Sequence, residues 1–456
     1  MKLNYKRTLL IGFAFMSICA FWQMYDNEIP LILKNVFGLA ETKTGVVMAL
    51  DNILALFLLP LFGALSDKTN TKIGKRMPFI LGGTLMAVIS MMMIPTAAAN
   101  RSLILFFIGL LLTLVFMGTY RSPAVALMPD LTPKPLRSKA NAIINLMGTL
   151  GGIFTLVMTM ILPKNGPLGY FPLFISVAIM MIIAVTLLFF TIKEKKIAAM
   201  LAQNASVVEK TEETENTAAA KATDTATVKA TDTASEEVAD QAAADEKSKE
   251  KRKLPKEVFV SLVFLLASVA LWFIAYNAVT TAFSRYTEAV WNVKNSYSQY
   301  LMIATIAAVI GYFPIALIST SIGRKKTIMI GIAMMVISFA SAYFFLTPSP
   351  LMYVFFAMTG IGWASINVNS YPMVVEMSHY SDIGRYTGIY YTFSMSAQIL
   401  TPILSGFLIE KISYRILFPY AAIFMLLAFI SMIFVRHGDA KPPKKAGALE
   451  YLDVDD

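Results

Sequence analysis

FWQMYDNEIPLIL, residues 21–33, is an apolar segment that carries two carboxylates, Asp26 and Glu28, just ahead of Pro30. The run from Phe13 to Leu33 is long enough to cross a bilayer, whose hydrocarbon core takes about 20 helical residues. A central Asp in such a span costs about 3 kcal/mol on insertion scales. Something must compensate for that cost, and the compensation is the first pointer to function.

The rest of the chain repeats the apolar theme. Of 456 residues, 57% are hydrophobic and only 15% charged, with a mean hydropathy of +0.63. That balance excludes an ordinary soluble domain and fits a polytopic membrane protein. Runs of spanning length lie near 8–33, 45–65, 77–98, 102–128, 140–162 and 167–191. A second set follows near 257–283, 297–320, 327–347, 351–377, 386–409 and 416–435. The expected fold is an all-α membrane protein of twelve transmembrane helices in two six-helix bundles. The first run is too long for a cleaved signal and lacks a small-residue cleavage site.

Basic residues set the orientation. One set of loops carries Lys2, Lys6, Arg7, Lys68, Lys72, Lys75, Arg76, Lys134, Arg137, Lys139, Arg324, Lys325, Lys326 and Arg385, with Arg436 and three lysines after it. The opposite set holds only Lys34, Lys43, Arg101, Lys164, Arg285, Lys294, Lys411 and Arg415. The positive-inside rule therefore places both termini in the cytoplasm. The net charge of +10 belongs to this topology and does not call for nucleic acid. Cys19 is the sole cysteine, and His379 and His437 the only histidines, so no disulfide and no histidine metal site is expected. No nucleotide-binding loop or nucleophile constellation is present, so neither an enzyme nor a cofactor is expected.

The domain reading is a bundle over 1–192, a linker over 193–256, a second bundle over 257–437 and a cytoplasmic tail over 438–456. The linker mixes Ala, Thr and charge and repeats KATDTA at 221 and 229. Too few large apolar residues are present to offset ordering entropy, so a disordered tether is expected. Shifting the chain by about 250 residues aligns the halves. Trp22 and Asn27 fall on Trp272 and Asn277, Pro60 on Pro314, Gly74-Lys75-Arg76 on Gly323-Arg324-Lys325, and Ser122-Pro123 on Tyr371-Pro372. Parallel six-helix repeats with a site between them at mid-depth describe the major facilitator architecture.

PLFGALSDKTNTKIGKRMPFI (60–80) resembles the signature loop of major facilitator transporters, with TNTKI as an insertion. It is similar in particular to the sucrose/maltose–proton symporter branch and to the related glycoside–pentoside–hexuronide cation symporters. YRSPAVALMPDLTPKPLRSKANA (120–142) and GIGWASINVNSYPMVVEM (360–377) carry the same resemblance. It implies a secondary transporter of a sugar. The chain departs from the sucrose branch at Val125, where those proteins carry Arg, and at Leu114, near which they carry an acid. Melibiose-type sodium symporters place two aspartates four apart on the second helix, whereas Asp51 is followed by Ala55. A proton is therefore the expected coupling ion.

Chemistry then concentrates on a few residues. At 100° per residue, Gln23, Asp26, Asn27 and Pro30 share one arc of about 100°. Glu28 lies outside that arc and is expected nearer the outer rim. Asp51 has only small or apolar neighbours on its face (Thr44, Met48, Ala55) and can take up and release a proton. Asp26, Asp51 and Glu28 are the proton-coupling candidates. Arg121 cannot shed its charge and needs an acid, water or backbone partner, either in the cavity or as an anchor at a helix end. Sugars are held by amides and hydroxyls, with aromatic rings against their apolar faces. Gln23, Asn27, Asn145, Asn277, Asn367, Tyr391, Gln398 and Arg121 supply the polar groups, and Trp22, Trp272, Trp363, Tyr120 and Tyr276 the rings. The same small and amide residues also serve as interhelical glue, so both roles stay open. Asp67, Lys75 and Arg76, with Glu376 and Arg385 in the second half, are the candidate gating latch.

The expected function is import of a disaccharide or small glycoside with protons, by a monomer in a bacterial inner membrane. Two other readings remain: a proton-coupled exporter of amphipathic compounds, and a non-transporting sugar sensor on the same scaffold.

Overall fold

Inside a bilayer each backbone N–H and C=O must be paired within the chain, and the apolar runs meet that demand as helices. The computed structural model describes residues 4–133, 136–162, 169–201, 255–377 and 383–439, without the side chains of 138, 139 and 383–385. Twelve helices of spanning length are present among them. The first half holds α1 (Tyr5–Asn35), α2 (Glu41–Lys68), α3 (Met77–Ala99), α4 (Leu103–Asp130), α5 (Arg137–Ile161) and α6 (Phe171–Thr191). The second holds α7 (Lys256–Ala289), α8 (Tyr297–Ile322), α9 (Arg324–Ala342), α10 (Leu351–Glu376), α11 (Ile383–Lys411) and α12 (Leu417–Ile433).

Local signals set the helix ends. Asn4 caps α1 by accepting from the Arg7 N–H, and Ser102 caps α4 by accepting from that of Leu105. Proline sits in the first turn of α3 and α6, where its missing N–H costs nothing. The outward faces remain apolar: Phe313 is 75% exposed and Phe344 77%, as lipid contact requires. Each half has its own core. Phe21, Tyr25, Met117 and Phe174 belong to the first, and Trp272, Phe283, Phe339 and Phe418 to the second.

Several helices overrun their apolar runs. α2 starts at Glu41 and α7 continues to Ala289, so Glu41 and Arg285 belong to helices rather than loops. The first residues assigned to the linker are ordered against the first half. Residues 194–201 are helical and Glu194 is 2% exposed, while 202–254 lie outside the described residues. At the other end Asp439 is tied to the second half by accepting from the Arg324 N–H at 2.7 Å; residues 440–456 lie outside the description.

The halves meet along α2 against α11, α1 against α7 and α5 against α8. All polar contacts described between them cluster at one end of the bundle, the Glu41 end. Towards the other end no polar contact joins the halves among the described residues, and Leu61 and Leu65 of α2 and Tyr391 of α11 are exposed.

Candidate functional site

Midway along the seam lies a cavity of about 210 Å³. Gln23, Asp26 and Asn27 of α1 face Tyr276, Asn277 and Thr280 of α7, with Ala304 and Thr305 of α8 and Phe356 and Thr359 of α10 closing the wall. The polar arc read from the helical wheel is thus the arc that turns inward. The repeat is visible here in atomic detail. Asn27 Nδ2 donates to the Gln23 carbonyl at 2.9 Å, and Asn277 Nδ2 donates to that of Phe273 at 2.9 Å. Tyr276 occupies in the second half the place Asp26 takes in the first, and the two are within electrostatic range. Thr280 and Thr359 were not singled out from sequence; isolated threonines in apolar runs give no periodic signal.

Charge gathers beside the cavity. Asp26 and Asp51 lie within electrostatic range of each other, and the Arg121 charge acts on both. Asp51 is not without a local partner, because Asn52 Nδ2 donates to its Oδ1 at 2.8 Å. Arg121 lies within α4, with its guanidinium 5.3 Å from the Trp22 ring centre. Within the second half Tyr276 of α7 and Trp363 of α10 stack in parallel, 3.8 Å between centroids and 5° apart in plane. The site therefore offers a ring pair, a cation over a ring, two carboxylates and a set of amides and hydroxyls.

Other candidates fall elsewhere. Trp272 is fully buried in the second core and cannot reach a ligand in this conformation. Tyr120 is also sealed: it packs on Gly83, donates to the Ala14 carbonyl at 2.7 Å and bonds Ser17 Oγ, holding α4 to α1. Asn145 and Tyr391 are exposed and do not line this cavity. Asn367 and Gln398 spend an N–H each on their own helices, on the Trp363 and Ser394 carbonyls. Glu28 does not sit at a rim. It is fully buried and accepts from Tyr297 Oη of α8 at 2.5 Å, across the seam.

The Glu41 end is sealed by further contacts of this kind. Arg285 Nε of α7 lies 3.4 Å from Glu41 Oε2, and Tyr414 Oη bonds the other Glu41 oxygen. The Thr42 N–H donates to Glu410 at 2.9 Å, Asn35 Nδ2 to Glu288 at 2.8 Å and Ser284 Oγ to the Asn27 carbonyl at 3.2 Å. The backbones touch there as well. A Cβ on Gly45 would stand 2.0 Å from the Pro402 carbonyl oxygen, and one on Gly406 2.5 Å from that of Glu41.

At the opposite end the residues expected to form a gating latch are ion-paired, but within one half and not across the seam. Arg76 pairs with Asp67 and, through Nε at 2.9 Å, with Asp130; Lys75 reaches Asp130 at 3.0 Å. These contacts join α2, α3 and α4 within one half. In the second half Glu376 pairs with Arg324. The Arg385 side chain, its expected partner, lies outside the described residues. A second repeated device escaped the sequence comparison. Glu194, just after α6, accepts from the N–H groups of Lys75, Arg76 and Met77, and Asp439, just after α12, from those of Arg324 and Lys325. Both carboxylates stand at a helix start, where exposed N–H groups attract negative charge. The preceding glycines make room. Gly74 (φ 128°) and Gly323 (φ 96°) adopt backbone that other residues rarely take, and a Cβ on Gly74 would collide with Glu194.

Comparison with known proteins agrees with this architecture. The family profile described as Major Facilitator Superfamily matches residues 11–311 and 292–451. Over 135 residues the chain is 29% identical to the sucrose transport protein SUC3 of Arabidopsis thaliana; the match spans 25% of this chain and 23% of that protein. Two solved folds are similar over nearly the whole chain. The nucleoside transporter NupG superposes with a TM-score of 0.63 at 17% identity, covering 95% of this chain and 100% of that one. A POT family transporter in complex with 5-aminolevulinic acid gives 0.67 at 12% identity, covering 94% and 96%.

Proposed function

The chain belongs to the Major Facilitator Superfamily, and from that premise we propose that it carries a small sugar or glycoside across a membrane together with protons. One observation carries this reading. The cavity at the seam sets Asp26 among Gln23, Asn27, Asn277, Thr280 and Thr305, a lining suited to a fan of hydroxyls, with the Tyr276–Trp363 pair near an apolar ring face. An exporter of amphipathic compounds would want a wider, apolar chamber. The partial likeness to a sucrose transport protein points the same way.

Transport follows from the asymmetry of the seam. With the Lys75 end in the cytoplasm, as its basic loops favour, the conformation described is closed outward and open inward. Rocking one half against the other breaks the Glu41 and Glu28 contacts and closes the Lys75 end over the same cavity. Asp26 and Asp51 then face the two sides in turn and carry the proton, while Arg121 balances their charge. A volume of 210 Å³ lies below the ~300–1,000 Å³ usual for small-ligand pockets, so one sugar ring fills it and a second extends towards Trp22 and the open end. The expected setting is a bacterial inner membrane, with both termini cytoplasmic and residues 202–254 connecting the halves.

The test is a panel of disaccharides and glycosides on the full chain in proteoliposomes, read by counterflow of labelled sugar and by an internal pH-sensitive dye. Counterflow with sugar-dependent acidification supports the reading. Binding without counterflow would instead make the protein a sensor.

A further inference from the structure

Away from the seam, where the α2–α3 turn meets the segment after α6, lies a depression of about 400 Å³. Its wall brings together Lys72 from the turn and Lys193, Lys195 and Lys196 from the segment, all exposed. Among the described residues the one acid in the wall is Glu194, against four lysines, and it turns inward. Its carboxylate is buried and already engaged by three backbone N–H groups. The floor is apolar: Phe189, Ile192, Ile73 and Met77 line it, and Lys193 Nζ lies 5.9 Å from the Phe189 ring centre. Just beyond, Phe190 stands exposed where lipid chains run.

Four ammonium groups from two chain segments, set around an apolar floor at the ends of membrane spans, match one kind of ligand. We propose that this depression is a binding site for an anionic phospholipid, its phosphate among Lys72, Lys193, Lys195 and Lys196 and its first methylenes along Phe189 and Ile73. Lysines placed only to orient the spans would scatter around a loop; these converge on a cavity. The same cluster next to water alone would hold a free phosphate, and the apolar floor is what selects the lipid. Each lysine near an anionic headgroup contributes about 1 kcal/mol, which is about fivefold in affinity.

The test uses the full chain in detergent, titrated with palmitoyl-oleoyl phosphatidylglycerol or phosphatidylcholine, with bound lipid counted by native mass spectrometry. Phosphatidylglycerol should bind in preference to phosphatidylcholine. Lys195→Gln should weaken it about fivefold and Lys72→Gln/Lys193→Gln about 25-fold. Lys325→Gln/Lys326→Gln, at the same end of the other half, should leave it unchanged. The single substitution keeps the test decisive if the double variant folds poorly. Equal retention of both lipids, or equal binding by wild type and variants, overturns the proposal. Displacement by equimolar inorganic phosphate overturns the lipid assignment in favour of a free anion.

Discussion

Arg285 Nε stands 3.4 Å from Glu41 Oε2 across the seam between α7 and α2, with only 4% and 7% of the two residues exposed. The contact is loose: neither of these two atoms makes a hydrogen bond among the described residues. A buried ion pair gains little over hydrated charges, whereas removing one partner strands the other at a cost of about 3–5 kcal/mol. Such a pair can part cheaply when the end opens, yet it punishes any defect while the end is shut.

Arg285→Gln or Glu41→Gln should therefore shift the population towards the conformation open at the Glu41 end. The readout is maleimide labelling of Thr305→Cys in a Cys19→Ser background. Labelling from the Glu41 side should rise and from the Lys75 side fall, and the charge swap Glu41→Arg/Arg285→Glu should partly reverse both. Unchanged rates from both sides would leave the pair a packing feature only.

Gly45→Ala tests the backbone contact at the same end. Its new Cβ would lie 2.0 Å from the Pro402 oxygen, so α2 and α11 cannot close there. Counterflow should be lost while sugar binding survives. Gly82→Ala, where a Cβ meets nothing within 4 Å, serves as the control and should transport normally.

Coupling is tested at the carboxylates. Asp26→Asn or Asp51→Asn should abolish accumulation driven by a pH difference while exchange at equal sugar concentrations partly survives. Exchange needs binding and rocking; accumulation also needs a proton to stabilise the same step. Continued uphill uptake by both variants would assign these acids to structure.

Trp272 and Tyr276 are neighbours on α7 with opposite surroundings. Trp272→Ala empties a packed core and should cost about 3–5 kcal/mol of stability, seen as a lowered thermal midpoint. Tyr276→Ala should spare most of the stability and weaken sugar binding about three- to tenfold, the worth of one ring contact. Equal losses of stability in both would remove Tyr276 from the ligand surface.

Glu194→Ala removes a carboxylate that receives three backbone N–H groups at the start of α3. The expected loss is about 2–3 kcal/mol, with transport per folded molecule retained. Asp439→Ala, which frees two N–H groups in the other half, should cost less. A reversed order would mean that the caps are not equivalent.

The number of spans, the repeat and the polar arc of α1 were determined by sequence alone, because each rests on local periodicity or on length against a fixed bilayer thickness. A helical wheel fixes the angles between side chains but not which way the helix is turned. Hence Gln23, Asp26 and Asn27 could be grouped from sequence, while Glu28, 100° beyond Asn27, could not be matched to Tyr297, 269 residues away. Trp22 and Trp272 are equivalent in the repeat, yet one meets Arg121 and the other is sealed in a core. Only packing against non-equivalent neighbours separates them. The same holds for Glu376 with Arg324, for Glu41 with Arg285 and for the Glu194 and Asp439 caps: each joins segments far apart in the chain. Their pairing is set by where the helix ends come to rest, a property of the assembled bundle that no local pattern encodes.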